Sequence, residues 1–515
     1  MNTFKRKALF TAVLAGLGAA GSAEAVYLSP NQTGQVLVYP YYTVQSTGGN
    51  SWNTYLSVVN TTSSAKAVKV RVLEGKTSSE VLDFNLFLSP NDVWTAAIIP
   101  ADATATGAGR MITADASCTS PNLGLTGQDF RNYQYAAGVG GVNLPGIGLD
   151  RTREGYVEII EMGTLLGATA ANVTHNSAGV PANCTAVRGL TFIPPAGEIT
   201  APSGGLMGTG TLINVNNGQD AGYKADALDA FSSVPQYTVP TSITPQLGNA
   251  SPAVSLVINA GGLNASGGSM RATAYLTDFT SAVAVSGVTG GTRAVASVFM
   301  HSAVMNEYVL DSGTGSNTDW VITQPLKNLF VTNVTAATPY TAVLTSSGAC
   351  ETISFTYFNR EEQTATAGGG DFSPIPPGAP ASSLCWESNV LSIRNGQAHM
   401  PTGVASGVLG SANTTSVNVT STFQNGWAIL GFTGTNAVAP IGMAGALATS
   451  QQVSLDSVAP PAATTFIGAV TFFGLPVTGF MIRNFRNGTL TCGTASCQGN
   501  YGSLFGHSYR TTITP

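Results

Sequence analysis

The chain is 515 residues long with a formal net charge of −5, and only 9% of its residues are charged, where globular proteins average about 25%. It has no cluster of Lys and Arg beyond its first residues, so the grouped cations that hold a phosphate backbone are missing and nucleic-acid binding is disfavoured as a function class. The length accommodates two or three β-domains, and 60 glycines among abundant Ala, Thr, Ser, Val and Asn point to short strands joined by many turns.

The first 25 residues read as a secretory signal peptide. Lys5, Arg6 and Lys7 precede an apolar run over 8–20, and Ala23-Glu24-Ala25 supplies an A-x-A cleavage site, so the mature chain is expected to begin near Val26. The apolar run is too short for a permanent membrane span, and no later stretch offers about 18 uninterrupted apolar residues. Gly16, Gly18 and Gly21 match a dinucleotide fingerprint, but they lie inside the leader and follow no strand. The expectation is export, to the cell surface or the medium, with the periplasm as the alternative.

From 26 to 105 the pattern is that of an immunoglobulin-like sandwich. In "AKAVKVRVLEG", Val68, Val70 and Val72 alternate with Ala67, Lys69 and Arg71, the period of a half-buried strand. "VLDFNLFL" alternates in the same way, Pro90 in "SPND" marks a turn into "VWTAAII", and "VLVYPYYTV" and "NTYLSVVN" bring the count to five strands. Residues 106–250 read as a loop-rich middle region with one good strand, "REGYVEIIEMG", and one short helical candidate, "GYKADALDAF". Residues 251–345 read as a second sandwich region, with "VASVFMHSAVMNEYVLD" and "DWVITQP" among its strands. Residues 346–515 form a C-terminal β region in which "APIGMAGALATSQQVSLDSVAPPAATT" reads as loop. The predicted class is all-β: multi-domain immunoglobulin-like sandwiches with long loops and little helix. A fixed-period repeat is absent, which disfavours a solenoid or propeller. An outer-membrane barrel fits poorly with the irregular segments and the "YRTTITP" ending.

Six cysteines in an exported chain imply a disulfide framework with 15 formal connectivities. Pairing neighbours gives Cys118–Cys184, Cys350–Cys385 and Cys492–Cys497. The second would staple a Gly- and Pro-rich stretch that cannot form regular structure, and the third would pin a hairpin tip. A zinc site would need four ligands, which one C-x4-C with His507 nearby does not supply.

Catalytic signatures such as G-x-S-x-G, H-E-x-x-H and a Walker loop are missing. His175, His301, His399 and His507 are scattered, and His301 sits in a strand pattern where a packed ring is the simplest reading. Glu154, Glu158 and Glu161 share one strand but are too far apart along it, or on opposite faces, to act as a close pair. The loop in "VMNEYVLDSGTGSNTDWVITQP" is the one place where a metal fits the sequence. Closing a hairpin there would bring Asp311 and Asp319 together, and Asn317 with nearby hydroxyls and carbonyls would complete an oxygen shell for calcium. Ordinary turn chemistry explains the same residues, and the spacing misses the EF-hand pattern.

"REGYVEIIEMG", "VMNEYVLDSGTGSNTDWVITQP", "DFSPIPPGAPASSLCWES" and "GLPVTGF" together resemble a family of exported, cell-surface-type proteins of Gram-negative bacteria. The resemblance implies export and no particular activity. The function expected is therefore that of a secreted, non-enzymatic structural or interaction protein, contacting itself or other cell-envelope components. The alternatives are a glycan-binding or glycan-hydrolysing protein, which a row of exposed aromatics beside a carboxylate pair would favour, and a calcium-dependent adhesin.

Overall fold

The computed structural model describes residues 25–46, 51–136, 146–263, 270–279, 288–366, 383–396, 405–432, 442–454, 464–493 and 495–514. The leader read over 1–25 lies outside the described residues except for Ala25. The chain is all-β, built as packed sheets, and its described helices are short, the longest being Gly290–Val298. No helix among the described residues is long and apolar enough to cross a membrane.

The N-terminal sandwich pairs two antiparallel sheets. One runs Tyr27–Leu28, Asp226–Asp229, Val36–Thr43, Glu154–Leu165, Lys66–Glu74, Glu80–Leu88, Cys118–Ser120, and the other Gln219–Lys224, Leu206–Asn214, Trp52–Asn60, Val93–Pro100, Gly109–Ile112, Gln128–Asp129. Val68, Val70 and Val72 point into the core between them with Trp52, Trp94 and Ile159. The alternation is as expected, but the unit does not end at 105. Glu154–Leu165 lies at the middle of the first sheet, hydrogen-bonded to Val36–Thr43 on one side and Lys66–Glu74 on the other. Without this strand from the supposed loop-rich region, both neighbours would be open edges. "GYKADALDAF" is likewise two strands rather than a helix, because Ala221 and Tyr223 alternate with Asp220 and Lys224 between core and solvent.

Lys66–Glu74 is also buried on both faces rather than half-buried. Its charged face is neutralised in place. Lys69 Nζ lies 2.5 Å from Asp83, and Arg71 reaches Glu158 at 2.6 Å and Glu80 at 2.8 Å. The segment around 238–240 covers this face, its Pro240 carbonyl accepting from Lys69 at 3.2 Å. Lys66 meets Glu161 at 2.8 Å and Arg151 meets Glu74 at 2.8 Å, again in the interior. A buried charge without a partner is very costly, so each of these is paired.

The C-terminal sandwich has an outer sheet, Thr364–Thr366, Ser354–Asn359, Asn425–Gly431, Ala303–Val309, Ser508–Arg510, and an inner sheet, Thr414–Asn418, Ser388–Arg394, Asn317–Thr323, Thr478–Cys492, Ala495–Gly506. All pairings in the two are antiparallel except that of Ser388–Arg394 with Thr414–Asn418. Each sheet draws strands from both sides of 345, so that position is not a boundary. The central strands of the inner sheet are buried on both faces. Trp320, Ile322 and Met481 enter the C-terminal core, whereas Val321, Phe480 and Ile482 join the N-terminal one, where Phe480 stacks on Tyr223 at 5.1 Å. A fifth sheet is Val254–Leu263, Met270–Asp278, Gly442–Ser454, Thr464–Phe473, Thr512–Thr514. It contains a paired strand at Gly442–Ser454 where the sequence reads as loop.

Two expected disulfides are present, Cys118–Cys184 and Cys350–Cys385. The side chains of Cys492 and Cys497 lie outside the described residues; the backbone register sets Cys497 opposite Leu490 and Cys492 opposite Ala495.

Candidate functional site

The loop at 310–316 does not close a hairpin. Ala303–Val309 belongs to the outer sheet and Asn317–Thr323 to the inner one, so the chain arches across the core instead of turning back within a sheet. Asp311 sits in a tight turn, its carboxylate accepting from the Gly313 amide at 2.7 Å. Asp319 is fully buried and faces another segment: its carboxylate accepts from the amides of Gly407, Val408 and Leu409 at 3.1, 2.8 and 2.9 Å. The buried side chain of Asn317 packs towards the same segment, where a Cβ on Gly407 would approach its own Cβ to 3.1 Å. The structure therefore does not bring Asp311, Asn317 and Asp319 together as one ligand set. Among the described residues no group of three His, Cys, Asp or Glu side chains is placed to hold a metal ion. Chelation of divalent cations is expected to leave the melting curve of the oxidised protein unchanged. Asp311→Ala is expected to cost less than about 1 kcal/mol, and Asp319→Ala, which strands the buried amides of Val408 and Leu409 while Gly407 keeps Ser392 Oγ, about 3 kcal/mol in denaturant titration.

The same segment is gripped from the other half of the molecule. Glu154 is buried and its carboxylate accepts five hydrogen bonds: from Tyr41 Oη at 2.7 Å, Gln45 Nε2 at 3.2 Å, Ser411 Oγ at 2.6 Å, and the amides of Ala412 at 2.9 Å and Asn413 at 3.2 Å. Between these two anchors, Val408 and Leu409 are driven into the N-terminal core. The conspicuous acids of the sequence are thus committed to structure: Glu154 and Asp319 to backbone amides, Glu158 and Glu161 to Arg71 and Lys66.

Among the described residues, two cavities are lined by titratable side chains. A small one of about 30 Å³ lies at the junction of the halves beside Lys327, Glu387 and Cys385, enough for about one water. Burial pushes the Glu387 carboxyl up to about 8, against the opposing pull of Lys327, and pushes the Lys327 ammonium down to about 8. An open depression of about 280 Å³ is lined by Asp92, Asp115 and His175. There the carboxylates are occupied locally: Asp92 accepts from Ser89 N at 2.8 Å and Asp115 from Ser117 Oγ at 2.7 Å. Of the other described histidines, His507 is buried and its Nε2 lies 3.0 Å from the Val321 carbonyl, so it is a packed ring whose burial lowers its pKa to about 4.

A further feature lies outside the core, beginning on the solvent face of the outer sheet and passing over its edge to Arg483 and Phe505 of the inner one. In Asn425–Gly431, Ala428 and Leu430 point into the core, so Trp427 must point out. It is 41% exposed, whereas Trp52, Trp94 and Trp320 are fully buried. The register sets Phe358 directly opposite it on one neighbouring strand and Glu307 on the other. Phe358 and Trp427 stack with centroids 4.5 Å apart and planes inclined by 12°. Glu307 accepts from Arg483 Nη1 at 3.0 Å, and the Arg483 guanidinium lies 5.2 Å from the ring of Phe505, itself 48% exposed. An aromatic stack, an ion pair and a second exposed aromatic thus form one continuous row. The sequence carried no signal for this row: Trp427, Ala428, Ile429 and Leu430 are apolar in succession, so the strand shows no alternation that marks its outward face.

No family model, curated protein or solved structure matches this chain.

Proposed function

We propose that the chain is an exported, non-enzymatic protein of the cell surface that works by contact, through the aromatic face of its C-terminal sandwich, with another component of the cell envelope. The observation that carries this reading is the Trp427–Phe358 stack. A large aromatic left exposed and held rigid by a neighbouring ring supplies contact area at little entropic cost, which is how binding surfaces are built. Two supporting facts accompany it. The buried acids are engaged in holding the fold, and two disulfides accord with an oxidising compartment. Assembly with further copies belongs to the same reading, because the internal ion pairs withdraw charge from an already weakly charged surface and so lower the repulsion between molecules.

Cosedimentation of the oxidised full chain with washed cell-envelope fragments tests the reading. The protein is expected to pellet with the fragments, and Trp427→Ala to bind about tenfold more weakly while melting at the same temperature. Equal pelleting of the two proteins overturns it.

A further inference from the structure

The row that runs from the outer sheet to Arg483 and Phe505 of the inner one has a composition that narrows its partner. Phe358 covers one face of the Trp427 indole, leaving the other turned along the row towards Glu307. A flat apolar ring face presented in this way matches a ligand with a flat array of C–H groups. Next to it stand an exposed carboxylate, which accepts hydrogen bonds, and a guanidinium whose Nε is engaged by Ser503 and Nη1 by Glu307, leaving Nη2 to donate. A ligand suited to both has a C–H face and a rim of hydroxyls that donate and accept. The charges of Glu307 and Arg483 cancel, so the row is electrostatically matched to a neutral molecule rather than to an anionic one. Phe505 beyond Arg483 offers a second apolar platform on the far side of the ion pair, so the row suits a chain of repeating units better than a single one.

We propose that this row is a binding site for a neutral glycan chain, one pyranose ring stacking on Trp427, the hydroxyls of the same or the next unit hydrogen-bonding Glu307 and Arg483, and a further ring resting against Phe505. The proposal rests on the contact function assigned to this face above and names its ligand class. Glu307 and Arg483 position the sugar by hydrogen bonding.

The test uses the oxidised full chain and envelope fragments before and after periodate oxidation, which cleaves the vicinal diols of glycans. Binding is expected to fall at least tenfold after periodate. Binding to untreated fragments is expected to be competed by a soluble α-1,4-gluco-oligosaccharide or cello-oligosaccharide, and the chain is expected to pellet with amorphous cellulose or an insoluble α-1,4-glucan as the probe. Trp427→Ala should lose about tenfold, Trp427→Phe should stay within about threefold of the wild type because it keeps a stacking face, and Glu307→Gln should fall between them. Envelope binding that is sensitive to Trp427→Ala but neither lowered by periodate nor competed by the oligosaccharides overturns the glycan and leaves the contact reading standing, with a protein or a second copy of the chain as occupant. Binding that is insensitive to both overturns both. Unequal melting temperatures of wild type and Trp427→Ala are controlled by Trp427→Phe, whose retained binding at the same stability separates a lost platform from a lost fold.

Discussion

Replacing Glu154 with alanine is expected to lower the unfolding free energy by about 3–5 kcal/mol, among the largest effects of any single change in this chain. The carboxylate satisfies two amides and three side chains at once, from both halves of the molecule. Truncation leaves Tyr41, Gln45 and the Ala412 amide without their acceptor, the Asn413 amide keeping only Ser411 Oγ, and it releases the 405–413 segment whose Val408 and Leu409 complete the N-terminal core. Glu154→Gln separates charge from shape. It retains one acceptor oxygen but turns an NH2 group on the other donors, so a loss of about half that size is expected. Urea titration of the oxidised protein measures both. A loss under about 1 kcal/mol for Glu154→Ala would show that the segment is held by its apolar contacts alone.

The second large effect is on pH dependence. Glu387 keeps its proton up to about pH 8 in the folded chain, because burial outweighs the pull of Lys327, against an ordinary value of 4.5. Between those limits the unfolded chain releases a proton that the folded chain holds, so stability falls as pH rises, at most by about 1.4 kcal/mol per pH unit. His507 acts in the opposite sense. Its folded value of about 4 lies below the ordinary 6.5, so the stability it contributes is present above pH 6.5 and is lost as pH falls towards 4. Lys327, lowered from 10.5 to about 8, adds stability as pH rises from 8 towards 10.5. The window from pH 6.5 to 8 therefore reports Glu387 best, and the wild type is expected to lose about 2 kcal/mol across it. Glu387→Gln, neutral and nearly isosteric, is expected to lose much less over the same range and to be the more stable protein at pH 8. Parallel melting curves for the two proteins across the window would refute the assignment.

What could be read from the sequence was local. The alternation of Val68, Val70 and Val72 identifies a strand and its core face, and pairing neighbouring cysteines found Cys118–Cys184 and Cys350–Cys385. Periodicity reports which residues face inward together, but not which distant strand lies alongside. The partners of Glu154 at Ser411, Ala412 and Asn413 are more than 250 residues away, and nothing in "REGYVEIIEMG" announces them. The middle region was misjudged for the same reason: its best strand is the centre of a sheet whose other members lie on either side in sequence. Charge misled in a second way. Lys69 and Arg71 look like a solvent face because cations usually are, and only Asp83, Glu80 and Glu158 with the covering segment make them interior. The Asp311 loop failed on topology alone, since a strand–loop–strand pattern is the same for a hairpin and for an arch between sheets. At the candidate site, "GWAILGF" was legible as a strand but not the face Trp427 takes, because four apolar residues follow one another there, and its stacking with Phe358 and the nearness of Arg483 to Glu307 depend on pairings that only the fold supplies.

The inner sheet has one further consequence. Its strands send alternate side chains into two different cores, Trp320 and Met481 into one, Val321 and Phe480 into the other. Neither half can lose its packing without exposing a face of the sheet on which the other depends. The chain has two sandwiches but is expected to unfold as a single cooperative unit, with partial opening confined to loops and edges and the deepest amides of both halves exchanging with solvent through the same global event.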